Sequence, residues 1–284
     1  MIAHRWRKRW NQTAPRWLLH MGLLGLSLLT LLPFLWGIST SLKTRNAVFA
    51  YPPTWIPDSP QWKNYVEVWR QVPFSRYYWN SMYISTLIVA GQLFTSSLAG
   101  FAFARLRFPC RDGMFLVYLA TMMVPGQVVM IPIFLIVKKL GWIDSHLSLI
   151  VPSLAGPFGT FLFRQFYLTI AEELVDAGKI DGCNPWLIYR HIFLPLSRPA
   201  LATLGVFTFM NSWNSFLWPL ILLRTPALYT VTLGLASMQG MDQFRTSWEL
   251  LMAGTVTAMV PVLTVFIAAQ RFFVEGIALT GIKA

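Results

Sequence analysis

Six long stretches of this chain contain no Asp, Glu, Lys or Arg: residues 17–42, 77–104, 113–137, 145–163, 199–223 and 250–270. A helix needs about 20 mostly apolar residues to cross a hydrocarbon core about 30 Å thick. Backbone in lipid must satisfy its own hydrogen bonds, so such stretches are expected to be helices. Barrel strands alternate over about ten residues, and these runs do not, which excludes a transmembrane β-barrel. The chain is 55% hydrophobic and 12% charged, against about a quarter charged in soluble domains. The expectation is an all-α integral membrane protein with six transmembrane helices, at about 17–41, 77–103, 114–137, 146–163, 199–223 and 250–270.

The net charge is +12. The basic residues flank apolar spans, so they read as positive-inside bias and not as a nucleic-acid surface. With the N-terminus inside, fourteen basic residues fall on the cytoplasmic side and nine outside. Lys138 and Lys139 run against this assignment. Residues 1–16 form a basic cytoplasmic N-terminus. The apolar block behind it is too long for a signal-peptide core and reads as a retained anchor. Both termini are expected in the cytoplasm, with the protein in the cell inner membrane. Cys110 and Cys183 fall in cytoplasmic loops, where free thiols are expected. The outer loop 43–76 has prolines that forbid a helix in its first part, then a short helical pattern at Tyr65, Val68 and Trp69. The uncharged segment 225–241 is too short for a seventh span and reads as re-entrant or superficial. No linker marks a second domain, so 17–284 is one membrane domain.

The longest polar loop, 169–198, reads as two short helices. Glu172 and Glu173 suit the start of the first. Gly182 permits a turn with positive φ. Asn184 and Pro185 suit the cap and first turn of the second, which Pro195 ends. This pattern alone fits a folded amphipathic loop as well as a docking element. Within it stand Asp176-Ala177-Gly178, three residues, Gly182, nine residues, and Ile192-Phe193-Leu194-Pro195. That spacing resembles the "EAA" loop of ABC-importer permeases. Flanking runs strengthen the likeness to the carbohydrate-uptake, MalG-like branch: Ala102-Phe103-Ala104-Arg105-Leu106-Arg107-Phe108-Pro109, Met122-Met123-Val124-Pro125-Gly126-Gln127 and Ser212-Trp213-Asn214-Ser215-Phe216-Leu217-Trp218-Pro219-Leu220. Asp176 stands where the family usually has Glu, and Gly178 where it has Ala.

The resemblance implies a MetI/MalG-like permease fold that imports a sugar or polyol-type solute by alternating access. The ATPase-coupling residues would be Glu172, Glu173, Asp176, Ala177, Gly178, Asp181, Gly182, Ile192, Leu194 and Pro195. The partners implied are a second homologous permease, two ABC ATPase subunits that bind ATP and Mg, and an extracytoplasmic solute-binding protein. No cofactor is expected in this chain. It has no phosphate loop, zinc motif or nucleophile elbow, so no catalytic or metal residue is assigned.

The amides Asn80, Gln92, Gln127, Asn211 and Asn214 lie in apolar spans and should face protein or a water-filled path. Asn211, Trp213, Asn214 and Trp218 are a dense set of amides and indoles suited to a sugar, or else to helix–helix hydrogen bonding. On one continuous helix Asn211, Asn214 and Trp218 share a face and Trp213 lies off it. The candidate path is Gln127, Asn211, Trp213, Asn214 and Trp218. Pro125 and Gly126 are expected to weaken or break the third span. The absence of charge in the spans disfavours an autonomous ion-coupled carrier. A permease for glycerol-3-phosphate is the nearer alternative.

Overall fold

The computed structural model describes residues 16–239 and 246–281, with side chains as far as Gln270. The basic cluster at 4–9, Lys283 and residues 240–241 lie outside these residues. All regular structure among the described residues is helical. The chain divides into two compact units, Met1–Val68 with Gln239–Thr257 and Trp69–Met238 with Ala258–Ala284.

In the first unit, α1 (Arg16–Ser41) is 26 residues long, about 39 Å at 1.5 Å per residue. Its leucines are exposed almost to its end, as expected of a helix that faces lipid. A short helix, α2 (Arg45–Val48), follows, and then α3 (Lys63–Gln71). The loop after α1 folds back on the end of that helix. The buried Asn64 Nδ2 donates to the carbonyls of Ser41 and Lys43 at 2.9 and 3.0 Å, satisfying oxygens that a helix end leaves bare. Lys43 is almost fully buried, with its Nζ 4.2 Å from the Trp36 ring centroid.

The second unit is built around α4 (Phe74–Arg105), 32 residues long. The third span is two helices: α5 (Arg111–Ala120), continued by a 3-10 turn to Met123, and α6 (Gly126–Lys139). They are bent by 101° at Val124-Pro125. This is the break expected at Pro125 and Gly126, and it replaces the straight span 114–137. α7 (Leu147–Ile150) leads through a 3-10 turn to α8 (Pro157–Leu168); together they cover a 22-residue apolar span. α4 and α8 lie so close at Gly100 that an added Cβ would sit 2.5 Å from Phe163 Cβ and 3.0 Å from the Arg164 nitrogen.

The loop helices are α9 (Glu172–Ile180) and α10 (Pro185–Leu196), the latter with a π-helical segment at Tyr189–Phe193. α10 runs into α11 (Arg198–Trp213) with a 75° bend. Here the expected span 199–223 is corrected. α11 stops at Trp213, and a separate helix, α12 (Leu217–Leu222), follows. Pro219 has no N–H to donate to Ser215, four residues back. The freed Ser215 carbonyl instead accepts the Thr232 hydroxyl at 2.6 Å. Among the described residues, four helices or helix runs are long and apolar enough to cross a membrane, and the number rises to six if each of the two bent pairs, α5/α6 and α10/α11, is one span.

Segment 225–239 contains a 3-10 turn and α13 (Val231–Ser237), which has only seven residues and makes no seventh span. Asn80 Nδ2 donates to the carbonyls of Ala227 and Tyr229, both at 3.0 Å. His146 bridges the Tyr83 hydroxyl and the Leu228 carbonyl. Asp144 accepts from the Arg224 and Thr225 nitrogens, both at 2.8 Å, and from the Thr225 hydroxyl. The last helix, α14, spans Trp248–Gly281.

Candidate functional site

Two regions of the second unit carry the candidate residues. The first is the loop. α9 and α10 meet at Gly182, whose φ of +78° is one that L side chains rarely adopt. Asn184 Oδ1 accepts from the Leu187 nitrogen at 2.9 Å, capping α10 as its sequence suggests. The inner face of the loop is apolar and closed. Val175, Ile188, Tyr189 and Phe193 are buried with Phe101, Ala104, Phe163, Tyr167, Ala200 and Leu204 in one cluster. The buried Gly178 lies under Ile188 and Ile192; a Cβ there would meet Ile192 Cδ1 at 3.2 Å.

The candidate coupling residues therefore split. Gly178 is buried, and Ile192 and Leu194 are half-buried against the cluster. Glu172, Glu173, Asp176, Ala177, Asp181, Gly182 and Pro195 are exposed. The Asp176–Lys179 ion pair, 2.8 Å apart, is largely in solvent and contributes little. The outer face is not simply acidic. Leu174, Ile180 and Trp186 are also exposed there, Ile180 at 86%. These three were missed in the motif, although Trp186 and Ile180 were visible as apolar residues beside a turn.

Two polar contacts anchor the loop to α4. The Ser97 and Tyr189 hydroxyls are 2.7 Å apart. Arg105 Nη2 donates to the Tyr167 carbonyl at 2.7 Å and to that of Ile170. Nearby, Arg164 joins α8 to α5, with its guanidinium 4.3 Å from the Phe115 ring and Nη2 3.3 Å from Asp112. Arg111 is paired with the same Asp112 carboxylate at 3.2 Å.

The second region is a cavity of about 630 Å³ among α4, α6, α7, α8, α11, α12 and the start of α13's segment. Its polar lining is amide and hydroxyl: Gln92, Ser148, Ser153, Thr208, Asn211, Ser212, Ser215 and Thr230. Trp218 lines it too, and among the described residues no Asp, Glu, Lys, Arg or His does. Several of these groups are already paired. Gln92 Oε1 accepts from Thr208, and its Nε2 donates to the Ser153 carbonyl at 3.3 Å.

Of the five candidate path residues, Asn211 and Trp218 line the cavity, while Gln127, Trp213 and Asn214 do not. The shared helical face assumed for Asn211, Asn214 and Trp218 does not exist, because α11 ends at Trp213 with Asn214 as its cap. Trp213 is buried in packing: its Nε1 donates to the Ala258 carbonyl at 3.0 Å, and its ring stacks on Phe209. Asn80, also noted as an intramembrane amide, is a strap and not a lining residue. Gln92 was visible as a lone amide in an apolar span; the serines and Thr208 carried no such signal. Among the described residues no His, Cys, Asp or Glu cluster could hold a metal ion.

Residues 94–278 match the family described as "Binding-protein-dependent transport system inner membrane component". The chain is 33% identical over 281 residues to the arabinooligosaccharides transport system permease protein AraQ of Halalkalibacterium halodurans, covering 96% of this chain and 99% of that protein. It is 34% identical over 277 residues to the sn-glycerol-3-phosphate transport system permease protein UgpE of Agrobacterium fabrum, covering 95% and 98%. UgpE of Pectobacterium atrosepticum is also 34% identical, over 88% of this chain and 91% of its own. In fold, the chain is similar to a subunit of a bacterial ABC transporter involved in the import of the acidic polysaccharide alginate. The TM-score is 0.81 at 23% identity, over 90% of this chain and 95% of that one. Helical architecture, broken spans and family match agree: the chain belongs to the binding-protein-dependent transport system inner membrane components, as a multi-pass, non-catalytic permease subunit of an ABC importer.

Proposed function

We propose that this permease carries an uncharged, hydroxyl-rich solute, a sugar or polyol, through the cavity bounded by Gln92, Asn211 and Trp218. The observation that carries the reading is the lining: amides, hydroxyls and an indole, without a charged side chain. Amides and hydroxyls exchange hydrogen bonds with a sugar, and an indole covers its apolar face. The loop with Glu172, Glu173, Asp176 and Asp181 around Gly182 is the socket for an ABC ATPase. That partner binds ATP and Mg; two copies of it, a second homologous permease and an extracytoplasmic solute-binding protein complete the importer. Both termini are cytoplasmic. Closure of the ATPases displaces the loops and exposes the cavity outward.

The similarity to UgpE proteins favours a second reading, glycerol-3-phosphate as cargo. A phosphate would ordinarily meet cationic or backbone N–H donors. Uptake into vesicles bearing the complete importer separates the two, with a labelled arabinooligosaccharide and labelled glycerol-3-phosphate as probes. The proposal expects saccharide uptake that excess glycerol-3-phosphate does not inhibit. Uptake of glycerol-3-phosphate alone would overturn it.

A further inference from the structure

Arg105 is a charged side chain at the last position of α4, half-buried, with no carboxylate partner among the ion pairs of the described residues. Its guanidinium is held by other means. Nη2 donates to the Tyr167 carbonyl, in the last turn of α8, and to the Ile170 carbonyl, two residues before α9 begins. Carbonyls at the C-terminal end of a helix lack intrahelical donors and form its negative pole, so a cation there is favoured. The guanidinium carbon also lies 5.3 Å from the ring centroid of Phe193, which is fully buried in the π-helical segment of α10. One side chain thus touches the end of a membrane span, the entry to the loop and the helix by which the loop returns.

We propose that Arg105 is a positioning residue for energy coupling. It locks the α9–α10 loop to α4, so that a displacement imposed on the loop is carried into the membrane spans. The proposal rests on the reading of the loop as the ATPase socket. Apolar packing of Phe101 on Tyr189 and Phe193 is non-directional and lets surfaces slide. The two hydrogen bonds of Arg105 are directional, and they add to the Ser97–Tyr189 pair. A planar guanidinium can fork to two carbonyls and still lie near an aromatic ring; an ammonium cannot do all three.

The test uses the complete importer and needs no solute. Hydrogen–deuterium exchange is compared between the nucleotide-free state and the state trapped with ATP and orthovanadate, for the wild type, Arg105→Gln and Arg105→Lys. In the wild type both the 172–196 loop and α4 are expected to change protection with nucleotide. In Arg105→Gln the loop should still respond, while the nucleotide-dependent change in α4 falls about threefold or more, with Arg105→Lys between the two. A merely structural role would raise exchange equally in both states and leave the difference intact. An α4 response in Arg105→Gln equal to that of the wild type would overturn the proposal. Should Arg105→Gln fail to assemble, an undiminished α4 response in Arg105→Lys would overturn it as well. A wild-type loop that does not respond to nucleotide would refute the socket reading itself, and the clamp with it.

Discussion

Two stretches of α4 are built differently. At its C-terminal end, Phe101 and Ala104 enter a closed apolar cluster with the loop helices, and Arg105 and Ser97 add directional contacts. Further back, Ile84, Ile88 and Gln92 border a cavity whose polar groups come from several helices. The first region is packed without slack and suits the transmission of a movement. The second keeps volume and exchangeable hydrogen bonds, and suits a passing solute. Substitutions should sort accordingly: changes in the packed region should cost assembly or coupling, and changes at the cavity should cost uptake while the complex survives.

The largest effect is expected at the closest approach in the packed region. Gly100→Ala places a methyl group 2.5 Å from Phe163 Cβ and 3.0 Å from backbone at Arg164. Overpacking of this kind costs about 1–3 kcal/mol, so a marked drop in thermal stability of the purified complex is expected. Gly205→Ala is the control, because its methyl group meets nothing closer than 3.9 Å. Equal melting temperatures for the two variants would contradict the description of α4 on α8.

Gly182→Val comes next. No neighbour lies within 4 Å of the added Cβ, so the cost is conformational. Holding a side-chain-bearing residue at positive φ costs about 1–2 kcal/mol. The permease should remain stable while co-purification of the ATPase falls. Gly182→Asn should retain more of it, because Asn tolerates this backbone region.

A paired substitution sharpens the contrast between cavity and scaffold. Asn211→Ala removes a lining amide, and Asn80→Ala removes two hydrogen bonds that strap the 227–229 segment. Losing such contacts costs about 1–3 kcal/mol each way. Asn211→Ala should lower uptake at normal protein level, whereas Asn80→Ala should lower the protein level and spare uptake per molecule. The reverse pattern would exchange their roles.

The smallest effect is a pH dependence at Asp144. Its carboxylate accepts from the Thr225 hydroxyl and the Thr225 and Arg224 nitrogens, which hold its pKa below the ordinary value. A depressed folded pKa gives a contribution present above the unfolded pKa and lost as pH falls through the folded one. Stability should therefore decline on acidification through that range, and Asp144→Ala should flatten this part of the profile. An unchanged profile would remove Asp144 from the account.

The two regions also differed in how far the sequence exposed them. The loop was legible because its signals are local: Glu172 and Glu173, the turn at Gly182 and the cap at Asn184 lie within one short stretch, although the expected stop at Pro195 is not made there, since α10 runs through it to Leu196. Its buried underside was less so, since Arg105 and Ser97 reach it from another helix. The cavity is assembled from Gln92, Ser148, Thr208 and Trp218, which lie far apart in the chain and meet only through packing. Asn211 and Trp218 stood out as part of a dense set of amides and indoles, but the continuous helix on which they were to share a face ends at Trp213. The same reasoning that located the break at Pro125 applied at Pro219, but the charge-free run from 199 to 223 hid it.

The central claim is that the Gly182 turn is the site where a cytoplasmic ATPase docks, and one measurement addresses it directly. A photo-crosslinking side chain is placed at Ile180, 86% exposed beside that turn, and for comparison at Tyr51, 94% exposed in the loop between α2 and α3, which the account puts on the other side of the membrane. In membranes bearing the complete importer, Ile180 should crosslink to the ATPase and Tyr51 should not. Crosslinking of the ATPase from Tyr51, or its absence from Ile180 in an importer that transports normally, would contradict the account.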